Sequence, residues 1–408
     1  MRLERLLFNT PIISLRRSLS TAILIISFLS CGPQKKQKTN ETLLEQLPDG
    51  ANVEVDVQYA QNFSVSYHKN YKLVNLHFKS EGRAMDFRQK LVLVQRGEQV
   101  PENIDSLKDA WFIEVPVTTV AANHDGEIIR IKSLGLIDHI AGMGGGDIYD
   151  AELRKRWEDK KIASIGYSFH SVPNPELLMS ANAELLILHT YDNEGLDGMK
   201  KLRELGINAI PHFAWAEEHF LGKAEWVKFT SLFFNKEEEA NDLFEEIEAS
   251  CNTLISEVAS LPEKATTFLL YFPSNESDWK AHRNDYYASY LDAVSQNVLK
   301  DDGPTHSVGM TNEKLLEMAQ DADYWIINST EDASWPPSSF LKSFKSYREG
   351  NVYHYQKRTN YEHNAYDWYE TPIVRPDLVL KDLVSIFYPE MLPDHELMFL
   401  DKVKLTKQ

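Results

Sequence analysis

Four glycines crowd into residues 142–147, and a glycine-rich turn after a strand is where backbone N–H groups can approach a phosphate. The G-x-G-x-x-G spacing is missing and no Lys-Ser or Lys-Thr pair follows, so the stretch reads as a flexible loop at a cleft. H-E-x-x-H, C-x-x-C and G-x-S-x-G are missing as well. The histidines, His212, His219, His354 and His363 among them, show no zinc-ligand spacing, and no protein-held metal is expected. His363 and Asp367, four residues apart, make the one local acid–base pair. Two carboxylates have a distinctive setting. Glu176 follows Asn174-Pro175 and Glu313 follows Thr311-Asn312, each an acid in the first turn of a capped helix. The helix dipole alone favours such a position by about 0.3–1 kcal/mol. Each also precedes an apolar strand, at 185–189 and 324–328, so the two are equivalent in two halves of the chain.

A second set of residues suits holding a ligand rather than transforming it. Trp215, Trp279, His282, Arg283, Tyr286, Trp368 and Tyr369 lie near predicted strand ends of the second half or just before the linking helix, and His124, Tyr149 and Phe169 take corresponding loop positions in the first. Aromatic rings bury large area at low entropy cost, and arginine pairs with carboxylate or catecholate oxygens. Trp279, Arg283 and Trp368 head this expectation.

The elements that must position these groups are legible from periodicity. Runs at 53–57, 63–67, 72–78 and 90–94 predict antiparallel strands. From 111 onward, strands at 111–117, 137–141, 162–165, 185–189 and 208–211 alternate with helices at 125–134, 151–158, 175–181 and 196–205. The alternation restarts beyond Pro262 with strand 266–272, helices 286–294 and 313–319, strands 324–328 and 351–355, and a closing helix 376–387. This predicts an α/β protein of two Rossmann-like lobes, each a mainly parallel sheet flanked by helices, with extra antiparallel strands near the N-terminus. A cleft between such sheets is a ligand site. Between the lobes, residues 221–261 contain no Gly or Pro after Gly222. Ala240, Leu243, Phe244, Ile247, Cys251, Leu254, Ile255 and Val258 fall on one stripe, predicting one long rigid helix with a break or restart at Asn235 and a buried, unpaired Cys251.

The chain has 408 residues and a formal net charge of −18, which opposes binding of nucleic acid or an anionic membrane through the folded body. Cys31 and Cys251, the two cysteines, give no disulfide framework. Arginines 2, 5, 16 and 17, an apolar run at 20–29 and Ser30-Cys31-Gly32 read as a signal peptide. The small residue before Cys31 resembles a bacterial lipobox, implying cleavage and lipid attachment there; a plain secretory signal is the alternative. The expected organisation is a signal peptide at 1–30, a lipidated flexible tether at 31–50, an N-terminal lobe at 51–220, a spine helix at 221–261 and a C-terminal lobe at 262–408.

Asn174-Pro-Glu176 followed by Ala183-Glu-Leu-Leu-Ile187, the helix start at 221–229, and Arg375-Pro-Asp-Leu-Val with Phe387-Tyr-Pro-Glu390 resemble the helical-spine family of periplasmic substrate-binding proteins of ABC transporters. The likeness spans roughly residues 111–392. It departs at Ala183-Glu184, where the family has Pro-Asp, and at 53–94, which has no counterpart in its smaller members. The resemblance implies a monomeric, non-catalytic, lipid-anchored protein of the cell envelope, without a cofactor. Such a protein captures an iron chelate (siderophore or haem) or cobalamin between its lobes and delivers it to a membrane permease. It further implies that Glu176 and Glu313 dock onto permease arginines. Two other functions stay open: a bilobal tetrapyrrole metal chelatase using His363 and Asp367, and a surface interaction lipoprotein.

Overall fold

The structure, a computed structural model, describes residues 53–80, 82–100, 105–166, 172–271, 279–303, 307–328 and 339–404. The signal peptide, Cys31 and the tether lie outside these residues, as does Phe169. No helix among the described residues is long and apolar enough to cross a membrane.

The first sheet is built from β1 (Phe63–His68), β2 (Tyr71–Ser80), β3 (Met85–Gln95) and β4 (Trp111–Val115), in that order, antiparallel except where β4 runs parallel to β3. In β2, Lys72, Val74, Leu76 and Phe78 are buried at every second position, as a sheet with one packed face requires. The run at 53–57, expected as a strand, is not one. Segment 58–62 is instead strapped to a helix and the residues just before it: Glu225, in the helix, accepts the backbone N–H groups of Gln58, Tyr59 and Ala60, and Glu217, ahead of it, accepts those of Gln61 and Asn62. These carboxylates satisfy donors that a ladder would otherwise have used.

The N-lobe sheet is wholly parallel, in the order β7-β6-β5-β8-β9. Its strands are β5 (Val120–Ala122), β6 (Ile140–Met143), β7 (Ala163–Ser164), β8 (Leu185–His189) and β9 (Ala209–His212). β5, β8 and β9 are buried along their full length, because helices α1 (Asp125–Ser133), α2 (Ala151–Glu158), α3 (Pro175–Ala181) and α4 (Asn193–Glu204) fill the crossovers. Glycines at 142 and 146 serve close packing here rather than an anion. A Cβ on Gly142 would lie 2.7 Å from Ile165, and one on Gly146 2.6 Å from Trp157.

The C-lobe centres on β10 (Thr266–Tyr271), β14 (Tyr324–Asn328) and β15 (Val352–His354), all parallel. Short β12 (Gln296–Asn297) also runs parallel to β10, while β11 (Trp279–Ala281), β13 (Val308–Met310) and β18 (Asp401–Lys402) extend the sheet antiparallel. A separate hairpin pairs β16 (Thr359–Asn360) with β17 (Ala365–Tyr366). Its helices are α7 (Tyr286–Val294), α8 (Asn312–Ala319), α9 (Lys345–Glu349), α10 (Thr371–Val374) and α11 (Pro376–Phe387). Alternation divides β10 and β14 between two cores. Phe268, Leu270, Trp325 and Ile327 pack on the outer face, while Leu269 and Ile326 join the large core shared with the first sheet and the N-lobe.

The stretch expected as one spine is two helices, α5 (Phe220–Ser231) and α6 (Glu237–Ala259), and the expected break falls at Asn235, left-handed with φ 53°. α6 turns back along α5: the Lys228 ammonium lies 4.3 Å from the Phe244 ring, and Tyr59 bonds Glu225 through its N–H and Glu248 through its hydroxyl. The rod between the lobes is therefore α6 alone, 23 residues and about 34 Å at ~1.5 Å per residue. Ala240, Phe244, Ile247, Cys251, Leu254 and Val258 form its buried stripe, with Cys251 a free thiol.

Candidate functional site in the interlobe cleft

The carboxyl ends of the N-lobe strands bring three imidazoles together. Beyond β5, Asn123 reaches to β8, its amide donating to the His189 carbonyl and its oxygen accepting the His189 N–H at 2.7 Å. His124 then caps α1 through Nδ1, which accepts the Gly126 N–H at 3.0 Å, and its ring stacks on His189 at 4.0 Å. His189 Nδ1 lies 3.2 Å from His212 Nε2 at the end of β9. Burial pushes His124 down to about 3, with Arg130 and Lys223 adding to the shift, and drives His189 and His212 well below the ordinary range. These are neutral rings at physiological pH. No group of three or more His, Cys, Asp or Glu side chains suited to a metal occurs among the described residues.

Aromatic groups continue the surface. Tyr191 lies 4.5 Å from the His189 ring and 5.1 Å from Trp215, and Arg83, from the β2–β3 turn, places its guanidinium 5.0 Å from the Trp215 ring and 5.7 Å from Tyr191. Phe78 of β2 packs on Phe213 and Trp215, so the first sheet holds this corner in place. Across the cleft, β10 ends at Tyr271, and Asp285 caps α7 to start the run Tyr286, Tyr287 and Tyr290. His282 is fixed between Asp285 and Asn328, with its ring 5.0 Å from both Tyr271 and Tyr287. Tyr191 is pushed up to about 12 by burial, with Tyr271 adding to it. Tyr369 is raised by burial first and then by Tyr271, Tyr366 and the N-lobe Tyr191.

Lys223, in the first turn of α5, forms the floor. Its ammonium sits 3.6 Å from the Tyr286 ring centre. At one edge the lobes are tied directly: Glu370, just before α10, accepts the N–H groups of Tyr149 and Asp150 at the start of α2. Burial raises Glu370 to about 8, and Asp125 to about 7 with Asp147 as the second cause. Beside this tie a cavity of about 530 Å³ is lined from both lobes, by Tyr149, Arg154, Arg358, Tyr361, Asp367 and Glu370 among others. Arg358 pairs with Asp367 and lies 5.1 Å from the Tyr149 ring.

His124, Tyr149, Trp215, His282, Tyr286 and Tyr369 are thus assembled where the lobes meet. The three residues that headed the expectation are placed elsewhere. Trp279 is 2% exposed and packs on Trp325 and Phe340 in the outer C-lobe core, its indole donating to Asn312 at 2.9 Å. Arg283 is paired with Asp301. Trp368 is buried in a parallel stack 3.7 Å from Tyr355. Alternation within β11, a nearby aspartate and a flanking tyrosine decide these outcomes, and none shows in a list of aromatic and basic residues. Tyr191, Lys223, Arg83 and Glu370 were missed, although Tyr191 stands two residues past a predicted strand end.

Glu176 and Glu313 are both exposed first-turn carboxylates. The Asn174 side chain accepts the Glu176 N–H at 2.8 Å, and Thr311 caps α8. The Glu313 carboxyl is held below the usual range by its own backbone N–H and the Thr311 hydroxyl.

No protein-family model matches the chain. An uncharacterized lipoprotein of Methanocaldococcus jannaschii is 26% identical over 377 residues, 87% of each chain. Among solved structures, a possible iron-binding, periplasmic solute-binding protein of Staphylococcus epidermidis superposes with a TM-score of 0.52 at 17% identity, covering 67% of this chain and 99% of its own. A periplasmic heme-binding protein of Roseiflexus sp. RS-1 gives 0.51 at 17% identity, covering 66% and 98%. At such identities the likeness is one of fold, and the two-lobed α/β architecture of periplasmic solute-binding proteins is the architecture of this chain.

Proposed function

We propose that this protein is the non-catalytic solute-binding component of an ABC importer, anchored by lipid at Cys31 to the cell envelope. It holds an iron chelate, a haem or a corrinoid in the interlobe cleft and delivers it to a permease that docks on Glu176 and Glu313. The observation that carries this reading is the cleft wall itself, lined by neutral imidazoles of the N-lobe and by tyrosines of both lobes, with the Arg83 and Lys223 cations against its rings. Such a wall suits a large, partly apolar, polyoxygenated ligand. The buried nitrogens His189 Nε2, His212 Nδ1 and Trp215 Nε1 have no hydrogen-bond partner among the described residues, and a ligand or water in the cleft would supply one. Solved proteins of this fold described as possibly iron-binding and as heme-binding, and a relative named as a lipoprotein, support the same class.

A chelatase would need His363 and Asp367 free to act together. Asp367 instead commits its carboxylate to Arg358 and to the hydroxyl of Thr371, which favours binding over catalysis. The test is a thermal-shift panel of cyanocobalamin, haemin and ferric catecholate, hydroxamate and citrate complexes. A binder present at 100 times its dissociation constant adds about 2.7 kcal/mol to the folded state, enough to move Tm by several degrees. If no member moves it while a protein partner is captured, the surface interaction reading replaces this one.

A further inference from the structure

Lys223 occupies a costly position. It lies in the first turn of α5, where the helix dipole disfavours a cation. No carboxylate among the described residues comes within ion-pairing distance of its ammonium, whose recorded contact is the face of Tyr286 at 3.6 Å. The groups around it come from every neighbouring element. α1 and its cap bring Arg130 and His124, β8 and β9 end in His189 and His212, and Glu217 and Asp285 lie farther off. Arg130 is spent on Glu127 and on the Lys223 carbonyl, and Glu217 on the N–H groups of 61 and 62 and the indole of Trp226. Asp285 pairs with His282 and caps α7. Lys223 itself stays partly exposed, so its ammonium can be reached past these committed groups. By contrast, Arg283 and Arg358 are both paired with aspartates, at 301 and 367.

We infer that Lys223 is the anchor for an acidic group of the ligand, and that its amine takes up a proton to become the ammonium as that group docks. The inference rests on the cleft-binding function proposed above and narrows its ligand to an anionic chelate. Burial, with Arg130 second, pulls Lys223 down to about 7 in the empty protein. A carboxylate or catecholate oxygen seated on the floor restores the preference for the charged form. Affinity should therefore fall as pH rises above about 7, approaching tenfold per unit. The sign follows from the charged state being the binding one.

The test is calorimetric titration of the full chain in two buffers of different ionisation enthalpy, at pH 6 and pH 8. The probes are haemin and a ferric tris-catecholate, both anionic, and cyanocobalamin, which carries no net charge. Expected is preferential binding of an anionic probe, with uptake of about 0.9 proton at pH 8 and about 0.1 at pH 6. Lys223→Met should abolish the difference in uptake and weaken binding at pH 6 at least tenfold. Asp125→Asn and Glu370→Gln control for the two carboxyls of the lobe junction raised to about 7 and about 8, and each should keep the uptake. Lys223→Met should also leave the empty protein at least as stable as wild type, since it removes a half-buried amine that has no carboxylate partner among the described residues. Uptake that survives Lys223→Met, a lowered Tm in the empty variant, or tight binding of cyanocobalamin alone overturns the anchor while leaving the cleft reading intact. Failure of all three probes to bind wild type removes the cleft reading and the anchor with it.

Discussion

Glu370 is a carboxyl group that the fold keeps protonated near neutrality. Its folded pKa of about 8 lies above the ordinary glutamate value of 4.5, so the folded chain holds a proton that the unfolded chain has already lost across that window. Stability from this group is present at acid pH and falls as pH rises through it. Glu370→Gln keeps an oxygen for the N–H groups of Tyr149 and Asp150 and removes the titration. The Tm of the variant minus that of wild type should therefore grow between about pH 5 and about pH 8; a constant or shrinking difference would contradict the assignment. Trp279 makes the complementary case. Buried against Trp325 and Phe340, it should cost about 3–5 kcal/mol when cut to alanine. Urea unfolding will read this loss, while ligand affinity of the folded variant stays within about twofold, less than the 1.4 kcal/mol of a tenfold change. Chemistry alone nominated Trp279, Arg283 and Trp368; what each side chain touches is set by partners distant in sequence, such as Asp301 and Tyr355.

At the scale of elements, the corner between α5 and α6 decides how the first sheet joins the lobes. Lys72 of β2, fully buried, donates to the Leu232 carbonyl and to Asn235, both at 2.8 Å, and pairs with Glu237. Lys72→Ala strands a buried carboxylate and should cost about 3–5 kcal/mol in denaturant unfolding. Replacing Lys72 and Glu237 together by methionine should recover much of that loss. A double variant no better than the single one would show that the ion pair is not what holds the corner. The helices and strands themselves were legible: 125–134, 175–181, 185–189, 286–294 and 376–387 fall within a few residues of the observed elements, because periods of 2 and 3.6 are local. The fold-back of α6 on α5 was not. The break at Asn235 is marked in the sequence by the acids that follow it, although Asn235 spends its side chain on Lys72 and Gln95 rather than capping α6. Whether two helices then run on or turn back depends on Phe244 meeting Lys228, and a stripe of apolar residues does not record that. Nor did alternation at 53–57 reveal that the following backbone bonds to Glu225 and Glu217 of the chain's middle.

For the whole molecule, one large core running from the first sheet through the N-lobe to the inner face of the C-lobe, together with α6, leaves little freedom for hinge bending. A permease would then read the protein through surface groups more than through a large closure. Glu176 and Glu313 stand exposed in the first turns of α3 and α8, the helices that lead into β8 and β14, Glu176 beside exposed Leu177 and Met179. Reversing both charges to lysine should leave ligand affinity unchanged and abolish uptake in a reconstituted transport assay; transport that persists would sink the docking role. The cleft remains the central claim, and hydrogen exchange with and without a saturating ligand from the panel addresses it most directly. The account predicts new protection at 189–191, 286–290 and 369, on both sides of the cleft at once. Protection confined to one lobe, or to the outer C-lobe core around Trp279, would contradict it.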